Sequence, residues 1–429
     1  MTPNFRIIAF YLPQFHPIPE NDEWWGKGFT EWTNVTKARP LFPGHYQPHL
    51  PADLGFYDLR LPEIREDQAN LAREHGIHGF CYYHYWFTGR RILEQPFNEV
   101  LTTGNPDFPF CLCWANENWT RAWDGGEREA LLSQTYSDED DLAHIQSLIT
   151  AFKDPRYIRI DERPLFLIYR TENLPDAART ARIWREEARR AGVGEIYLAR
   201  VESFRSDINP ADIGFDAAVE FAPDWRTLDQ FLFRTPLFRK ACDWGLLPQT
   251  YLTQSISDYN HLVQRMLDKP KPVWKRFRCA TPGFDNSARR PEKSAAIYVG
   301  STPERYGQWL RHLLGDAMRD HGDSERIVFV NAWNEWAEGN HLEPDRRSGK
   351  AYLEATRQAL EACQKTGKPE GPAPSANEAP TQAQPSRLRQ MYWSFSKKAQ
   401  AYLQLWNHLR YWHGRRLTEA AEAMESRQP

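Results

Sequence analysis

Short apolar runs alternate along the chain with amphipathic or irregular segments, and this pattern predicts strands joined by helices and long loops. The runs are rich in β-branched and aromatic residues and lack strict apolar-polar alternation, which is typical of parallel strands buried on both faces. Eight such runs occur, at residues 6–13, 77–87, 109–119, 163–170, 195–202, 217–223, 273–281 and 327–330. Helical spacing is clearest at residues 61–75, 176–191 and 303–319.

This order of elements predicts an α/β fold, a (β/α)8 barrel of the TIM type with long βα loops. Alternation of strands and helices implies right-handed crossovers between parallel strands, and 429 residues suit such a barrel with insertions and an appendage. An open doubly wound sheet is the alternative. No Gly-x-Gly-x-x-Gly or Gly-x-x-x-x-Gly-Lys-Ser/Thr turn follows a predicted strand, which counts against a nucleotide-binding sheet.

The composition changes after residue 365, so we predict three parts. Residues 1–365 form the barrel domain. Residues 366–389 are rich in Pro, Ala, Gln and Ser, which is typical of a flexible linker. Residues 390–429 combine aromatic and basic residues with helical character and predict an amphipathic helical tail. Such a tail is suited to contact a partner protein, a membrane surface or its own barrel.

The segment after the eighth run carries two carboxylates among tryptophans and amides. Glu335 and Glu338 are three residues apart, so they share one side of a tight turn or helix. Paired carboxylates are the usual groups that cleave or form glycosidic bonds. A solvated Glu-x-x-Glu pair on an exposed helix is the alternative, but the neighbouring Trp333 and Trp336 favour a cleft. We therefore predict Glu335 and Glu338 as catalytic residues.

Further polar and aromatic residues follow other predicted strands, and a barrel brings all strand C-termini to one face. Glu117 stands in a Trp-Ala-Asn-Glu order that resembles the surroundings of Glu335. A loop of about 45 residues after the first strand is long enough to indicate function, and it includes Glu31. His84 also fits a hydrogen-bonded structural histidine. The predicted substrate contacts are Tyr11, Gln14, His16, Trp32, His84, Tyr85, Trp114, Asn116, Glu117, Glu220, Asp285, Asn286, Trp333, Asn334 and Trp336.

Composition narrows the class of partner. The formal net charge is -3, so nothing in it indicates nucleic acid as a ligand. Aromatic residues make up 14% of the chain and include 17 Trp, which suggests aromatic rings in a cleft as well as in the core. Sugar rings, with apolar faces and hydroxyl edges, suit such a cleft.

The cysteines and the N-terminus bear on location. The six cysteines lack metal-site spacing, and three lie in apolar strand-like runs, so reduced core thiols in a reducing compartment are predicted. No basic segment followed by a long apolar stretch is present at the N-terminus. We expect a cytoplasmic protein, with attachment to the inner membrane surface as an option, and no metal or cofactor.

Five motifs resemble the WbsX-type proteins of bacterial polysaccharide and O-antigen gene clusters, which are classed as glycosyltransferase-like and related to glycoside hydrolase family 99. The resemblance covers residues 5 to 360 and leaves out the linker and tail. Its motifs are Tyr11-Leu-Pro-Gln-Phe-His16, Gly28-Phe-Thr-Glu-Trp-Thr-Asn34, Cys113-Trp-Ala-Asn-Glu-Asn-Trp-Thr120, Thr281-Pro-Gly-Phe-Asp-Asn286 and Asn331-Ala-Trp-Asn-Glu-Trp-Ala-Glu-Gly339.

The resemblance implies a (β/α)8 barrel that acts on glycosidic bonds with retention of configuration. By this likeness, Glu335 is the base that helps the sugar's own 2-hydroxyl attack the anomeric carbon, and Glu338 is the general acid/base. The expected function is to form or remodel glycosidic bonds of a surface polysaccharide, the O-antigen of lipopolysaccharide or a capsule. The expected substrate is an oligosaccharide or polysaccharide, with an activated sugar donor as an option and Arg289 and Arg290 as the candidate phosphate-binding pair.

Two alternatives remain open at this point. An endo-acting retaining glycoside hydrolase or transglycosylase of the family 99 type would use the same two acids. A protein of a different class, a non-catalytic glycan-binding scaffold, would use the aromatic residues and the tail but neither acid for chemistry.

Overall fold

Eight parallel strands close into a barrel in the computed structural model, which describes residues 4–121, 126–228, 230–290 and 294–366. Each strand pairs with the next one along the chain, and the eighth pairs with the first, with Ile327 opposite Arg6. This closed order confirms the predicted TIM-type barrel. The strands are β1 Arg6–Tyr11, β2 Ile77–Phe87, β3 Phe110–Trp114, β4 Arg163–Ile168, β5 Tyr197–Glu202, β6 Ala217–Glu220, β7 Arg276–Ala280 and β8 Ile327–Val330.

The strands form where the apolar runs predict them because both faces of each strand are covered. All four residues of β8 and all five of β3 are buried. β7 is the exception in sequence, since Arg276 and Arg278 interrupt its apolar character. The Arg278 side chain is accommodated by ion pairs, with Nε 2.8 Å from Glu220 and Nη1 3.0 Å from Asp316. An ion pair therefore lets a charged residue occupy a barrel strand.

Helices follow the strands around the barrel, and several begin with a side-chain cap. Ser137 accepts a hydrogen bond from the backbone of Asp140 at the start of one helix, and Thr302 caps another in the same way. The helices are α1 Pro19–Trp25, α2 Glu31–Lys37, α3 Pro62–Glu74, α4 Gln95–Thr103, α5 Asp138–Lys153, α6 Ala177–Arg190, α7 Pro236–Asp243, α8 Thr250–Thr253, α9 Tyr259–Leu267, α10 Pro303–Asp320 and α11 Ala351–Thr366.

Long loops and small sheets build the face where the barrel strands end. The loop after β1 contains α1 and α2, and the connection after β6 contains α7, α8 and α9. Small strands pair at this face, and they are Arg90–Ile92 with β2, Trp119–Arg121 with Gly126–Leu132, Ser255–Asp258 with Ala296–Val299, and Asn334–Glu335 with Asn340–His341. These additions confirm the predicted long βα loops. A further small strand, Arg159–Ile160, pairs with the start of β4 at the opposite end of the barrel.

Residues 1–39 and 46–371 belong to one compact unit, which contains the barrel. The predicted linker and helical tail lie outside the described residues, except for residue 366 at the end of α11. All six cysteines are buried thiols outside any disulfide, as predicted for core thiols. In the described ranges, every helix is too short or too polar to cross a bilayer.

Candidate active site

The two predicted catalytic acids lie on a tight turn just past β8. Glu335 ends the short strand Asn334–Glu335, and Glu338 ends the single 3-10 turn Trp336–Glu338. Gly339 then adopts a φ of +55°, where an added Cβ would meet the Cβ of Asp285 at 3.1 Å. A glycine is therefore needed to return the chain, by both its left-handed backbone and its lack of a side chain. The predicted turn that brings the acids to one side is present.

One partly buried arginine, Arg289, joins both acids to a third. Nη1 of Arg289 donates to Oε1 of Glu338 at 2.5 Å, and Nη2 donates to Oε2 of Glu335 at 3.0 Å. Nε of the same side chain donates to Oε1 of Glu31 at 2.8 Å. We call these four residues the acid cluster. Arg289 follows β7 and Glu31 begins α2, so three βα loops assemble the cluster.

The acid cluster holds more negative than positive charge, and this alters its protonation. Burial, with a smaller contribution from the neighbouring Glu338 and Glu31, raises the pKa of Glu335 to about 8 despite the lowering effect of Arg289. Burial also raises the pKa of Glu31, again opposed by Arg289. Burial lowers the pKa of Arg289, but the three acids outweigh it and hold that pKa well above its usual range. The cluster thus keeps a proton on Glu335 at neutral pH.

A cleft of about 570 Å³ opens beside the acid cluster, and Glu335, Glu338 and Arg289 line it. Amide side chains contribute hydrogen-bonding groups, and Glu117 adds a third carboxylate from the end of β3. Aromatic rings can cover the apolar faces of sugar rings while the polar groups bind the hydroxyls. The aromatic residues of the lining are Trp25, Tyr83, Tyr85, Trp119, Tyr169, Phe204, Phe221 and Trp225.

The structure brings some of the predicted residues to the cleft and buries the others. Those that line the cleft are Gln14, Tyr85, Glu117, Asn286, Glu335 and Glu338. Those that are buried and lie outside the described lining are Tyr11, His16, Trp32, His84, Trp114, Asn116, Glu220, Asp285, Trp333, Asn334 and Trp336. Direct contact of the second group with a substrate stays a prediction without geometric support.

Two of the buried asparagines clamp neighbouring strands together. The side chain of Asn334 accepts from the backbone N–H of Leu12 at 2.7 Å and donates to its carbonyl at 3.0 Å. The side chain of Asn116 makes the same pair of bonds with the backbone of Arg170, both at 2.8 Å. Each clamp fixes the residue before an acid that lines the cleft, so these asparagines position Glu335 and Glu117.

Other buried candidates stabilise the loops from behind. The indole N–H of Trp336 donates to Glu343 at 2.6 Å, and that of Trp32 donates to the carbonyl of Tyr57 at 2.8 Å. Asp285 accepts from the side chain of Gln47 at 2.9 Å. Two further candidates form hydrogen bonds inside the protein, Tyr11 with Gln68 and His16 with the Pro13 carbonyl. Two more pack against buried rings, Trp333 on Phe80 and Trp114 on Trp184.

His84 and Glu220 point away from the cleft. Nε2 of His84 lies 2.9 Å from Nε2 of His144, and the two rings stack on each other. His84 is therefore a hydrogen-bonded structural histidine. Glu220 is fully buried and pairs with Lys269 at 3.1 Å and with Arg278 at 2.8 Å. Lys269 and Arg278, together with Arg276, hold the pKa of Glu220 near 2 despite burial, which alone would raise it. The carboxylate of Glu220 therefore belongs to an ion-pair network in the barrel wall.

Several residues of the cleft were not predicted from the sequence. Tyr169 and Phe221 lie just past the ends of β4 and β6, where position alone could have singled them out, whereas Tyr83 lies within β2. Arg289 was predicted as half of a phosphate-binding pair, but its guanidinium is engaged by three carboxylates. Glu31 was noted only as part of the loop after β1, and no local signal marks it as a partner of Arg289.

A group that could hold a metal ion lies outside the described cleft lining. It consists of His49, His341 and Asp345, whose potential ligand atoms lie within 4.8 Å of one another. The first belongs to the loop after β1 and the other two follow β8.

Comparisons with known proteins identify the family and support the fold. Two proteins named WxcX, from two strains of Xanthomonas campestris pv. campestris, are 47% and 46% identical to this chain over 354 residues. The match covers 82% of this chain and 49% of each relative, so the chain spans about half the length of the curated relatives it matches.

The fold is shared with a solved hydrolase. A GH99 endo-alpha-mannosidase from Bacteroides thetaiotaomicron superposes with a TM-score of 0.51 at 14% identity, covering 85% of this chain and 99% of that one. Residues 7–356 match the family described as Glycosyltransferase WbsX. The resemblance seen in the motifs is therefore confirmed, and the chain belongs to the WbsX glycosyltransferase family.

Proposed function

We propose that this chain is a glycosyltransferase-like enzyme that forms or remodels glycosidic bonds, with retention of configuration, in the synthesis of a bacterial surface polysaccharide. Glu335 and Glu338 are its proposed catalytic carboxylates. The observation that carries the proposal is the acid cluster, in which two acids three residues apart meet one guanidinium in an aromatic-lined cleft. Membership of the WbsX family supports a polysaccharide as the substrate class.

The protonation of the cluster suits this chemistry. A retaining mechanism needs one carboxyl group that protonates the leaving oxygen and a second that acts on the reacting sugar. The raised pKa of Glu335 provides a protonated carboxyl group at neutral pH. The family resemblance assigns the acid/base role to Glu338 instead, so under that assignment the proton moves from Glu335 to Glu338 when the sugar binds.

The ion pairs of Arg289 favour a second candidate function, also an enzyme that acts on glycosidic bonds. Its guanidinium is engaged by Glu31, Glu335 and Glu338, which leaves it poorly placed to bind the phosphate of an activated donor. An oligosaccharide could then serve as the donor, as in a transglycosylase or an endo-acting retaining hydrolase. Both candidates use the same two acids and differ only in the donor and acceptor.

The test uses the full chain with O-polysaccharide fragments, in the presence and absence of nucleotide sugars. Mass spectrometry follows the products, and NMR gives their anomeric configuration. Products of retained configuration from the wild-type chain, and none from Glu338→Gln, support the proposal. New linkages only with nucleotide sugars identify transfer from an activated donor, whereas exchange or release without them identifies the second candidate. Binding of fragments without any turnover would overturn both and identify a glycan-binding scaffold.

A separate experiment assigns the two roles. Aryl glycosides with good leaving groups need little protonation of the leaving oxygen, so loss of the general acid costs them far less than loss of the base. If Glu338 is the acid, Glu338→Gln retains activity on such substrates and Glu335→Gln does not. The reverse result would exchange the two roles.

The proposed location is the cytoplasm or the inner membrane surface. Six buried thiols outside any disulfide are consistent with a reducing compartment. Residues 390–429 are the proposed point of contact with a membrane or a partner protein.

A further inference from the structure

Three potential metal ligands from two distant parts of the chain meet behind the turn that carries Glu338. Nδ1 of His49 lies 2.9 Å from Nε2 of His341, and the carboxylate of Asp345 completes a group whose ligand atoms lie within 4.8 Å of one another. His341 and Asp345 are buried, and His49 is partly buried. Because none of the three is in the described lining of the cleft, this group is separate from the proposed reacting acids.

Hydrogen bonding already orients His341 as a ligand. Its Nδ1 lies 2.9 Å from the carbonyl oxygen of Glu343, which can only accept, so Nδ1 carries the hydrogen. Nε2 therefore has a lone pair, and it faces His49. Metal-bound histidines commonly donate their second N–H to a carbonyl in this way. The ring is also fixed by stacking on Trp336, with centroids 3.8 Å apart and planes 15° apart.

The carboxylate of Asp345 is anchored as well. One oxygen accepts from the backbone N–H of Ser348 at 2.5 Å and of Arg347 at 3.1 Å. The other accepts from the hydroxyl of Tyr46 at 3.0 Å, and the ring of Tyr46 packs on His49 with centroids 4.3 Å apart. An oxygen with one hydrogen bond keeps capacity for a metal ion.

We infer that His49, His341 and Asp345 form a binding site for one divalent first-row transition metal ion, with Zn²⁺ as the best match. Two imidazole nitrogens and one carboxylate oxygen are donors that Zn²⁺ prefers over Mg²⁺ or Ca²⁺. Zinc-nitrogen bonds of about 2.0–2.1 Å in a tetrahedral site place two ligand nitrogens about 3.3 Å apart. The two histidines need only separate slightly to admit the ion, and the proton between them moves to Nε2 of His49.

The ion would tie the loop after β1 to the chain just past the catalytic turn. An added Cβ on Gly339 would lie 3.3 Å from the His49 ring, so the ligand touches the residue after Glu338. His341 stacks on Trp336, the residue after Glu335. The site therefore positions the turn that bears both acids, without contact to the substrate.

The test is a titration of the full, tag-free chain with ZnCl₂ after chelation, followed by isothermal calorimetry, metal analysis and thermal unfolding. We expect one zinc per chain and a rise in Tm on adding Zn²⁺ that Mg²⁺ does not produce, because an ion that binds only the folded chain stabilises it. His341→Asn and Asp345→Asn should each weaken zinc binding by more than about tenfold. His261→Gln, on α9, and Asp243→Asn, on α7, are matched controls that should bind as the wild type does.

The wild-type measurement tests the site even if a ligand variant fails to fold. No retained zinc and no shift in Tm would overturn the inference. Zinc binding that His341→Asn and Asp345→Asn leave intact would overturn it too, since the ion would then sit elsewhere. None of these readouts depends on catalysis, so the inference can fail or hold independently of the proposed function.

Discussion

The ends of β3 and β8 carry the same Asn-Glu pair, and the structure gives the two pairs one shared feature and one difference. In both, the asparagine clamps the backbone of the next strand, Asn116 to Arg170 and Asn334 to Leu12. Both following acids line the cleft. The local motif thus has the same structural use at two points of the barrel rim.

The environments of the two acids differ. The side chain of Glu117 is 43% exposed and pairs with Arg170 at 2.6 Å, and Arg170 in turn lies over the ring of Phe204. The side chain of Glu335 is 8% exposed and shares Arg289 with two further acids. Burial raises the pKa of both, but only Glu335 lies in a buried cluster of three acids and one cation. The clamp is a local property, whereas the chemistry depends on residues far away in sequence.

The largest expected effect is on turnover. Glu335→Gln and Glu338→Gln should each lower kcat by about 10²- to 10⁴-fold, because general acid-base catalysis contributes that much. Glu117→Gln should change kcat by less than about tenfold and act mainly on KM, since it keeps the shape of a cleft residue. Steady-state kinetics of the three variants measures this. A loss of kcat in Glu117→Gln as large as in Glu335→Gln would make the end of β3 part of the catalytic machinery.

Replacing Arg289 should lower the stability of the chain more than replacing Arg170. Arg289→Met leaves two buried carboxylates, Glu31 and Glu335, and the partly buried Glu338 without their cation, which should cost about 3–5 kcal/mol in the free energy of unfolding. Arg170→Met breaks a partly exposed pair and should cost about 0–1 kcal/mol. Urea unfolding followed by circular dichroism compares them. Equal losses for the two variants would contradict the contrast between a buried cluster and an exposed pair.

Loss of either asparagine clamp should lower the stability of the chain by a similar amount, but the two losses should differ in their effect on activity. Asn334→Ala and Asn116→Ala each leave a backbone N–H and a carbonyl without partners, at a cost of about 1–3 kcal/mol. Only Asn334→Ala should also lower kcat, because it releases the residue that precedes Glu335. Unfolding and kinetics on the same preparations measure both quantities. If Asn116→Ala lowers kcat as much, the two strand ends cooperate in catalysis.

The barrel and the acid pair could be predicted because their signals are local. β8 is a continuous apolar run, and the two acids follow it at the spacing of one turn. The face that each residue presents was harder to predict. Tyr83 and Tyr85 line the cleft, whereas His84 between them points the other way and pairs with His144, since alternate residues of a strand face opposite sides.

Partners that are distant in sequence could not be predicted. Glu31 and Arg289 are 258 residues apart. The sequence shows that Arg289 is a positively charged residue in a loop, but it does not show which three acids contact it. His49 and His341 are even further apart, at 292 residues, so the spacing of histidines along the sequence did not indicate a metal site. The proximity of these residues comes from barrel closure, which brings the loops after β1, β7 and β8 together.

The most gradual expected effect is a pH trend in stability that again separates the two acids. The pKa of Glu335 is about 8 in the folded chain, against about 4.3 for an unperturbed Glu, so the folded state binds more protons between these values. The stability that protonated Glu335 contributes is present in acid and is lost as the pH rises through about 8. Glu335→Gln removes this loss of stability. The free energy of unfolding of the variant, relative to that of the wild type, should therefore increase as pH rises from 5 to 8.5, by less than about 1 kcal/mol per pH unit. Glu117→Gln should show a shallower trend, because Glu117 is partly solvated. Thermal unfolding across this range measures both differences. A gap between Glu335→Gln and the wild type that widens toward low pH would mean that Arg289 keeps Glu335 ionised.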